Sequence, residues 1–257
     1  MTRSVPLADV PSTATPWRRL LAEFLGTGLL VAVVVGSGVA AQRLSPGDVG
    51  LQLLQNSTAT VLGLTVLILL FGPVSGAHFN PVVSIADWWL GRRSGAGLSG
   101  GEVGAYVVAQ GAGGIGGALL ANAMFEVDAG LATTERTGAG LLVGEVVATA
   151  GLVLLIFALA RTGRGALAAP AVGAYIGAAY WFTSSTSFAN PAVTVGRMFT
   201  DTFAGIAPSS VPAFVGAQLV GAAVGVLLVL ALYPSVGRAA DAVVVPHPEP
   251  HEVEARA

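Results

Sequence analysis

The chain has 257 residues, of which 54% are hydrophobic and 10% are charged, and its mean hydropathy is +0.76. A soluble domain carries about 25% charged residues, so this composition excludes an ordinary water-soluble protein. The lack of cysteine excludes disulfides and thiolate metal sites, and three histidines are few for an enzyme site. The net charge of −2 leaves no basic surface for nucleic acid. We therefore expect a membrane protein without metal or cofactor.

The chain begins with a proline-containing segment, residues 1–16, that lacks an apolar run and is predicted to be disordered. The first apolar stretch is too long for the core of a signal peptide and has no evident cleavage site, so we interpret it as a retained span. About 20 apolar residues cross a bilayer. By that measure six spans are predicted, at about 18–42, 50–71, 101–124, 139–161, 166–185 and 210–233. The polar, proline-rich residues 236–257 are predicted to form a disordered tail.

Two related motifs, Asn80-Pro81-Val82 and Asn190-Pro191-Ala192, lie 110 residues apart. Each follows a turn rich in small residues and precedes an apolar run too short to cross a bilayer. Asn accepts hydrogen bonds from free N–H groups at a helix start, and Pro at the first helical position loses no bond. One motif follows the second span and the other follows the fifth, so the two half-helices enter from opposite faces. This arrangement predicts a pore where they meet.

Other residues also repeat between the two halves of the chain. Glu23 in the first span corresponds to Glu145 in the fourth, and Gln110 in the third span corresponds to Gln218 in the sixth. Three spans per half invert the second copy, which predicts an inverted repeat of about 17–124 and 139–233. The arginines are concentrated on one side, which predicts cytoplasmic termini. That side holds Arg3, Arg18, Arg19, Arg92, Arg93, Arg161, Arg164 and Arg238.

With these motifs, residues 17–235 resemble the aquaporin, or major intrinsic protein, family. The resemblance implies an all-α membrane protein with six transmembrane helices and two re-entrant half-helices. It also implies a homotetramer in membrane lipid, with one pore in each subunit. The stretches 180–188 and 201–206 resemble a bacterial subgroup associated with arsenic resistance, whose members pass arsenite and related small uncharged solutes. A bacterial inner membrane is therefore the expected location.

The second motif departs from the usual water channel, which has an arginine where this chain has Val193. Valine removes a fixed charge and several donors, so we expect a wider filter with an apolar wall. Arg197, one helical turn further along, is an alternative source of that charge. The main expectation for Arg197 is instead a surface or tetramer contact.

The remaining filter positions are predicted by alignment with the family. Ser187 lies three residues before the second Asn, and Ala178 lies twelve before it. The position in the second span is Leu62 or Thr60, depending on which anchor is used. The filter predicted from Leu62, Ala178, Ser187 and Val193 is small-walled and mostly apolar, without an aromatic residue or a histidine.

Ionisable groups within spans require partners. Glu23 and Glu145 are predicted to accept hydrogen bonds from the re-entrant loops, and His78 either bonds the loop backbone or lines the pore and senses pH. We expect a passive channel, not an enzyme, for glycerol-like polyols, arsenite as its neutral acid, and water. The alternatives are a plain water channel and a proton-coupled or anion transporter that uses Glu23, Glu145 and His78.

Overall fold

The computed structural model describes residues 14–92, 97–128 and 130–234. Within them the chain forms eight α-helices and short 3-10 turns, with no strand in these ranges. The helices are α1 (Pro16–Leu44), α2 (Val49–Ser75), α3 (Pro81–Gly91), α4 (Gly100–Met124), α5 (Ala139–Arg161), α6 (Ala168–Phe182), α7 (Pro191–Gly196) and α8 (Val211–Leu232). Of the predicted disordered ends, residues 1–13 and 236–257 lie outside the described residues.

Six of these helices are long and apolar enough to cross a membrane, namely α1, α2, α4, α5, α8, and α6 with the 3-10 turn before it. The predicted all-α architecture with six spans is therefore confirmed. The helices α3 and α7 have 11 and 6 residues. At 1.5 Å per residue, even α3 is only about 16 Å long, roughly half a bilayer core.

The two halves of the chain use the same helix pairings. In the first half α1 packs against α2 and α4, and in the second half α5 packs against α6 and α8. The halves meet where α2 packs against α6. In addition, α3 packs against α8 and α7 packs against α4. Each half-helix is therefore held by the last span of the opposite half.

Glycine allows the closest of these helix contacts. A Cβ atom at Gly225 in α8 would lie 2.7 Å from the carbonyl oxygen of Ala150 in α5, and one at Gly117 in α4 would collide with the carbonyl of Gly28 in α1. Helices in a bilayer associate through close packing and not through a hydrophobic drive. Glycine is thus required where α1 meets α4 and at the equivalent place where α5 meets α8.

Candidate functional site, a pore between the two half-helices

Both half-helices begin as the motifs predict. Asn80 and Asn190 have extended backbones, with φ of −154° and −159°, and each is followed by proline at the first helical position. The side-chain oxygen of Asn80 accepts from the N–H of Val82 at 3.1 Å, and that of Asn190 accepts from Ala192 at 2.9 Å. Each asparagine thus caps its own half-helix.

The same two asparagines connect the half-helices to each other. The amide nitrogen of Asn80 donates to the carbonyl of Ala189 at 2.8 Å, and that of Asn190 donates to the carbonyl of Phe79 at 2.7 Å. An amide NH₂ has two hydrogens, so one on each side chain is left for another acceptor. Both asparagines line the central cavity. Each asparagine therefore keeps one N–H donor at the point where the half-helix N-termini meet.

The loops before the asparagines have an unusual backbone conformation that repeats in both halves. Ala77 and Phe79 have φ of 50° and 49°, and Ser187 and Ala189 have φ of 54° and 47°. Residues other than glycine rarely adopt this left-handed conformation, which costs on the order of 1 kcal/mol each. Here it turns neighbouring N–H groups of each loop toward one buried carboxylate.

In the first half that carboxylate belongs to Glu23, which is fully buried. It accepts from the backbone N–H groups of His78 at 3.0 Å and Phe79 at 2.7 Å. It also accepts from the Ser75 hydroxyl at 2.6 Å and the Gln110 amide at 2.7 Å. These four donors satisfy the carboxylate and hold the loop on α1 and α4.

In the second half Glu145 occupies the equivalent place and is also fully buried. It accepts from the backbone N–H groups of Phe188 and Ala189, both at 2.9 Å, and from the Gln218 amide at 2.6 Å. The two predicted glutamine equivalents thus bond the two predicted glutamates. The geometry is that of loop support in both halves.

His78 combines features of both interpretations of this residue. The residue lines the cavity, and its Nδ1 lies 2.9 Å from the Ser84 hydroxyl. Its ring therefore bonds a side chain and not the loop backbone that one of the two interpretations named. Among the described residues its Nε2 has no hydrogen-bond partner.

The central cavity has an empty volume of about 910 Å³, including the space open to solvent. Residues of α2 and α6 line it at every fourth position, as one face of a helix requires. Most of this wall is apolar, and the polar groups are the two asparagines, His78, Thr60, Tyr180, Ser187 and Arg197. The lining residues of the two helices are Thr60, Leu64, Ile68, Ala168, Val172, Ile176 and Tyr180.

Two predicted filter residues are wrong. Leu62 is 63% exposed on the outer surface of the subunit, and Ala178 is also exposed there. Both lie two residues from cavity-lining positions, and a step of two residues turns a helix by about 200°, to its opposite side. Thr60, the alternative in the second span, faces the cavity. The cavity-lining residues on either side of Ala178 in α6 are Ile176 and Tyr180.

Aromatic residues also line the cavity, although the predicted filter contains none. Tyr180 and Phe188 both line the cavity. The Tyr180 hydroxyl lies 3.2 Å from the hydroxyl of Thr60, so the two side chains meet at the same depth where α6 packs against α2. The sequence signal for the cavity-lining face of α6 is the four-residue spacing of Val172, Ile176 and Tyr180.

The other two predicted filter residues, Ser187 and Val193, line the cavity. Arg197 lines it as well and is only 3% exposed. The guanidinium carbon of Arg197 lies 3.5 Å from the centre of the Phe188 ring. The structure thus supports the alternative in which Arg197 faces the pore.

Six spans, two half-helices joined end to end by crossed asparagine bonds, and a cavity along that junction define a membrane channel built as an inverted repeat. The chain belongs to the major intrinsic protein family, whose model matches residues 11–189. It is therefore a multi-pass membrane channel for solutes or water, and not an enzyme.

Individual relatives agree with this assignment. Aquaglyceroporin AqpS of Rhizobium meliloti is 50% identical over 206 residues, which cover 80% of this chain and 85% of the relative. The glycerol uptake facilitator protein of Pseudomonas aeruginosa is 33% identical over 232 residues, covering 77% and 80% of the two chains. Aquaporin Z of Photorhabdus laumondii is 33% identical over 172 residues, covering 58% and 67%.

A solved structure shows the same fold. The aquaglyceroporin from Plasmodium falciparum superimposes with a TM-score of 0.60 at 21% sequence identity. The match covers 86% of this chain and 97% of that one. At this identity the likeness extends to the fold alone.

Proposed function

We propose that this protein is a passive channel for small uncharged solutes, namely glycerol-like polyols, arsenite as its neutral acid, and water. The observation that carries the proposal is the lining of the cavity. The apolar residues Leu64, Ile68, Val172 and Ile176 accompany the two asparagine amides and the Thr60–Tyr180 hydroxyls. A polyol presents carbon on one side and hydroxyls on the other, so such a wall suits it.

Exclusion of cations follows from the meeting of the two half-helices. Each helix N-terminus carries about half a positive charge, and both N-termini lie at the crossed asparagines. A cation at this point loses hydration and meets positive potential from both sides. A neutral solute pays no such electrostatic cost and accepts hydrogen bonds from the asparagines.

The relatives support the solute class. One is named an aquaglyceroporin and another a glycerol uptake facilitator protein. Neutral arsenite is a compact molecule with three hydroxyls, so it can use the same donors and acceptors as a polyol. Val193 provides an uncharged wall where the usual water channel has an arginine.

We also propose the arrangement of this channel in the cell. The chain lies in the bacterial inner membrane as a homotetramer with cytoplasmic termini, and residues 17–235 form the channel domain. Leu62, Val66 and Leu69 make an exposed apolar face on α2 that meets lipid or a neighbouring subunit. The face of the channel that carries residues 125–128 and 130–138 is then periplasmic.

Stopped-flow light scattering on reconstituted liposomes tests the proposed function. Gradients of water, glycerol and arsenite should each drive rapid, unsaturated volume changes with a low activation energy. Empty liposomes provide the background. Flux of water alone would identify a plain water channel, and dependence of solute flux on a proton gradient would identify a coupled transporter.

A further inference from the structure

We propose that Arg197, and not residue 193, supplies the fixed positive charge at one mouth of the pore, where it excludes inorganic cations while neutral solutes pass beside Val193. This inference rests on the proposed function, because it requires that the cavity conducts. In this proposal Arg197 provides the charge of the pore mouth and Val193, one helical turn earlier, determines its width.

The position of Arg197 places its side chain on the correct face. It directly follows α7 and lies four residues after Val193, so both side chains project from the same side of the helix. Both line the cavity. A cation at the C-terminal end of a helix is also favoured by the helix dipole.

The guanidinium of Arg197 is held on one side and open on the other. Its flat face stacks on the ring of Phe188, and its Nε donates to the carbonyl oxygen of Ala204. Among the described residues, no hydrogen-bond acceptor contacts either terminal nitrogen of Arg197. The side chain is only 3% exposed, and the residue lines the cavity, so these donors remain for a molecule inside it.

A second arginine supports this arrangement from behind. The guanidinium carbon of Arg136 lies 5.1 Å from the centre of the same Phe188 ring. Its Nε donates to the carbonyl of Gly205 at 2.9 Å, and its Nη2 donates to that of Phe203 at 3.2 Å. Three consecutive carbonyls, at 203–205, therefore hold both guanidiniums around one ring. Arg136 does not line the cavity and acts as a positioning residue.

The electrostatic surroundings leave the charge of Arg197 effective in the cavity. The positive charge of Arg136 lies beside that of Arg197, because both guanidiniums lie over the Phe188 ring. The carboxylate of Glu145 is already engaged by two loop N–H groups and Gln218. A charge in a narrow, largely apolar cavity is poorly screened, so it opposes cations strongly.

The first test is substitution of Arg197 by methionine, which removes the charge and keeps much of the length. Cation entry into liposomes loaded with a potassium-sensitive or pH-sensitive dye should rise at least about tenfold over wild type. The R197K variant should stay near wild type because it keeps the charge. An R197M channel that still passes glycerol but admits cations no faster than wild type would overturn the assignment.

Arg43 offers a matched control. Its guanidinium also lies over a phenylalanine ring, 5.5 Å from the centre of Phe125, and also donates to a backbone carbonyl. Unlike Arg197, its side chain is exposed, and it does not line the cavity. The R43M variant should keep the wild-type cation permeability, and an equal rise in R43M and R197M would contradict the proposal.

A second measurement does not require loss of Arg197. The chain has no cysteine, so V193C carries a single thiol one turn from the guanidinium. Negatively and positively charged methanethiosulfonate reagents of similar size are compared, each relative to its rate with a free thiol. The anionic reagent should react at least several-fold faster. Equal relative rates would overturn the proposal.

The two proposals fail in different ways. Absence of glycerol and arsenite flux in the wild type would contradict the proposed function. Normal wild-type flux, combined with charge-independent modification of the thiol in V193C, would contradict only the role of Arg197.

Discussion

At the scale of single residues, the chemistry of this channel depends on which side chains reach the cavity. Val193, Ser187 and Arg197 reach it from the second loop and half-helix, and Thr60 and Tyr180 reach it from α2 and α6. The resulting cavity wall combines apolar residues with a guanidinium, hydroxyls and aromatic rings. This wall is more polar than the small-walled filter expected from alignment.

Substitution of Val193 by arginine should narrow this filter. A second guanidinium beside Arg197 fills the space next to the valine and adds like charge. We expect glycerol and arsenite permeability to fall by roughly tenfold or more, with a smaller effect on water. Stopped-flow swelling measures all three. V193M is the control, because it adds length without charge, and unchanged arsenite and glycerol flux in V193R would refute the filter argument.

The corrected filter makes a second prediction about size selection. Replacement of Tyr180 by alanine removes a ring that lines the cavity, so flux of larger polyols relative to water should rise severalfold. L62A, a change on the outer surface, should leave the ratio unchanged. Swelling rates in a series of polyols of increasing length measure the ratio. A larger rise of this flux ratio in L62A than in Y180A would show that Leu62, and not Tyr180, belongs to the filter.

At the scale of elements, each re-entrant loop is a strained segment that a span glutamate holds in place. The loop residues with positive φ turn their neighbours' N–H groups toward that carboxylate. The same contacts occur in both halves, with Glu23 and Gln110 in one and Glu145 and Gln218 in the other. The loops therefore depend on α1, α4, α5 and α8 for their shape.

Removal of one of these carboxylates should destabilise the protein. In E145A the N–H groups of Phe188 and Ala189 lose their acceptor. Each buried donor left without an acceptor lowers the free energy of unfolding by about 1–3 kcal/mol. We expect a lower Tm in detergent and a smaller folded fraction. E135A, at an exposed position, is the control. Normal stability of E145A, combined with loss of a proton-gradient dependence measured in the wild type, would instead favour a proton-transfer role.

Close packing of α5 and α8 gives a matched pair of glycine substitutions. In G225A the new Cβ would lie 2.7 Å from the carbonyl oxygen of Ala150, so the two helices must separate. We expect the free energy of unfolding to fall by about 1–3 kcal/mol. G216A lies in the same helix with no atom near its Cβ, and should be neutral or slightly stabilising. Thermal unfolding of the two variants compares them. Equal Tm values would show that the contact tolerates a methyl group.

At the scale of the whole molecule, the inverted repeat brings the two half-helices together from opposite faces. The crossed bonds of Asn80 and Asn190 join the halves at the centre, while α2 packs on α6 beside them. A pore therefore exists only in the complete chain, since each half supplies one wall, one loop and one asparagine.

The proposed orientation can be tested with single cysteines in the cysteine-free chain. Exposed Glu135 lies on the face proposed to be periplasmic, and exposed Arg164 lies on the opposite face. A membrane-impermeant thiol reagent added to spheroplasts should label E135C and not R164C. Labelling of R164C alone would reverse the topology. Detergent-solubilised protein, in which both should react, provides the control.

The sequence by itself determined the class of fold, the six spans, the two half-helices and their caps, because each depends on residues that are close together in the chain. Apolar length defines a span, and Asn followed by Pro defines a helix start. The paired glutamates and glutamines were also evident, since the repeat places them at similar offsets.

Only the tertiary structure decided which side of α2 and α6 faces the cavity and where Arg197 points. An error of two residues along a helix turns a side chain to the opposite surface, which is why Leu62 and Ala178 were misplaced. The direction of Arg197 depends on the Phe188 ring and the Ala204 carbonyl. Such contacts arise from the packing of separate segments, and no local pattern of residue types encodes them.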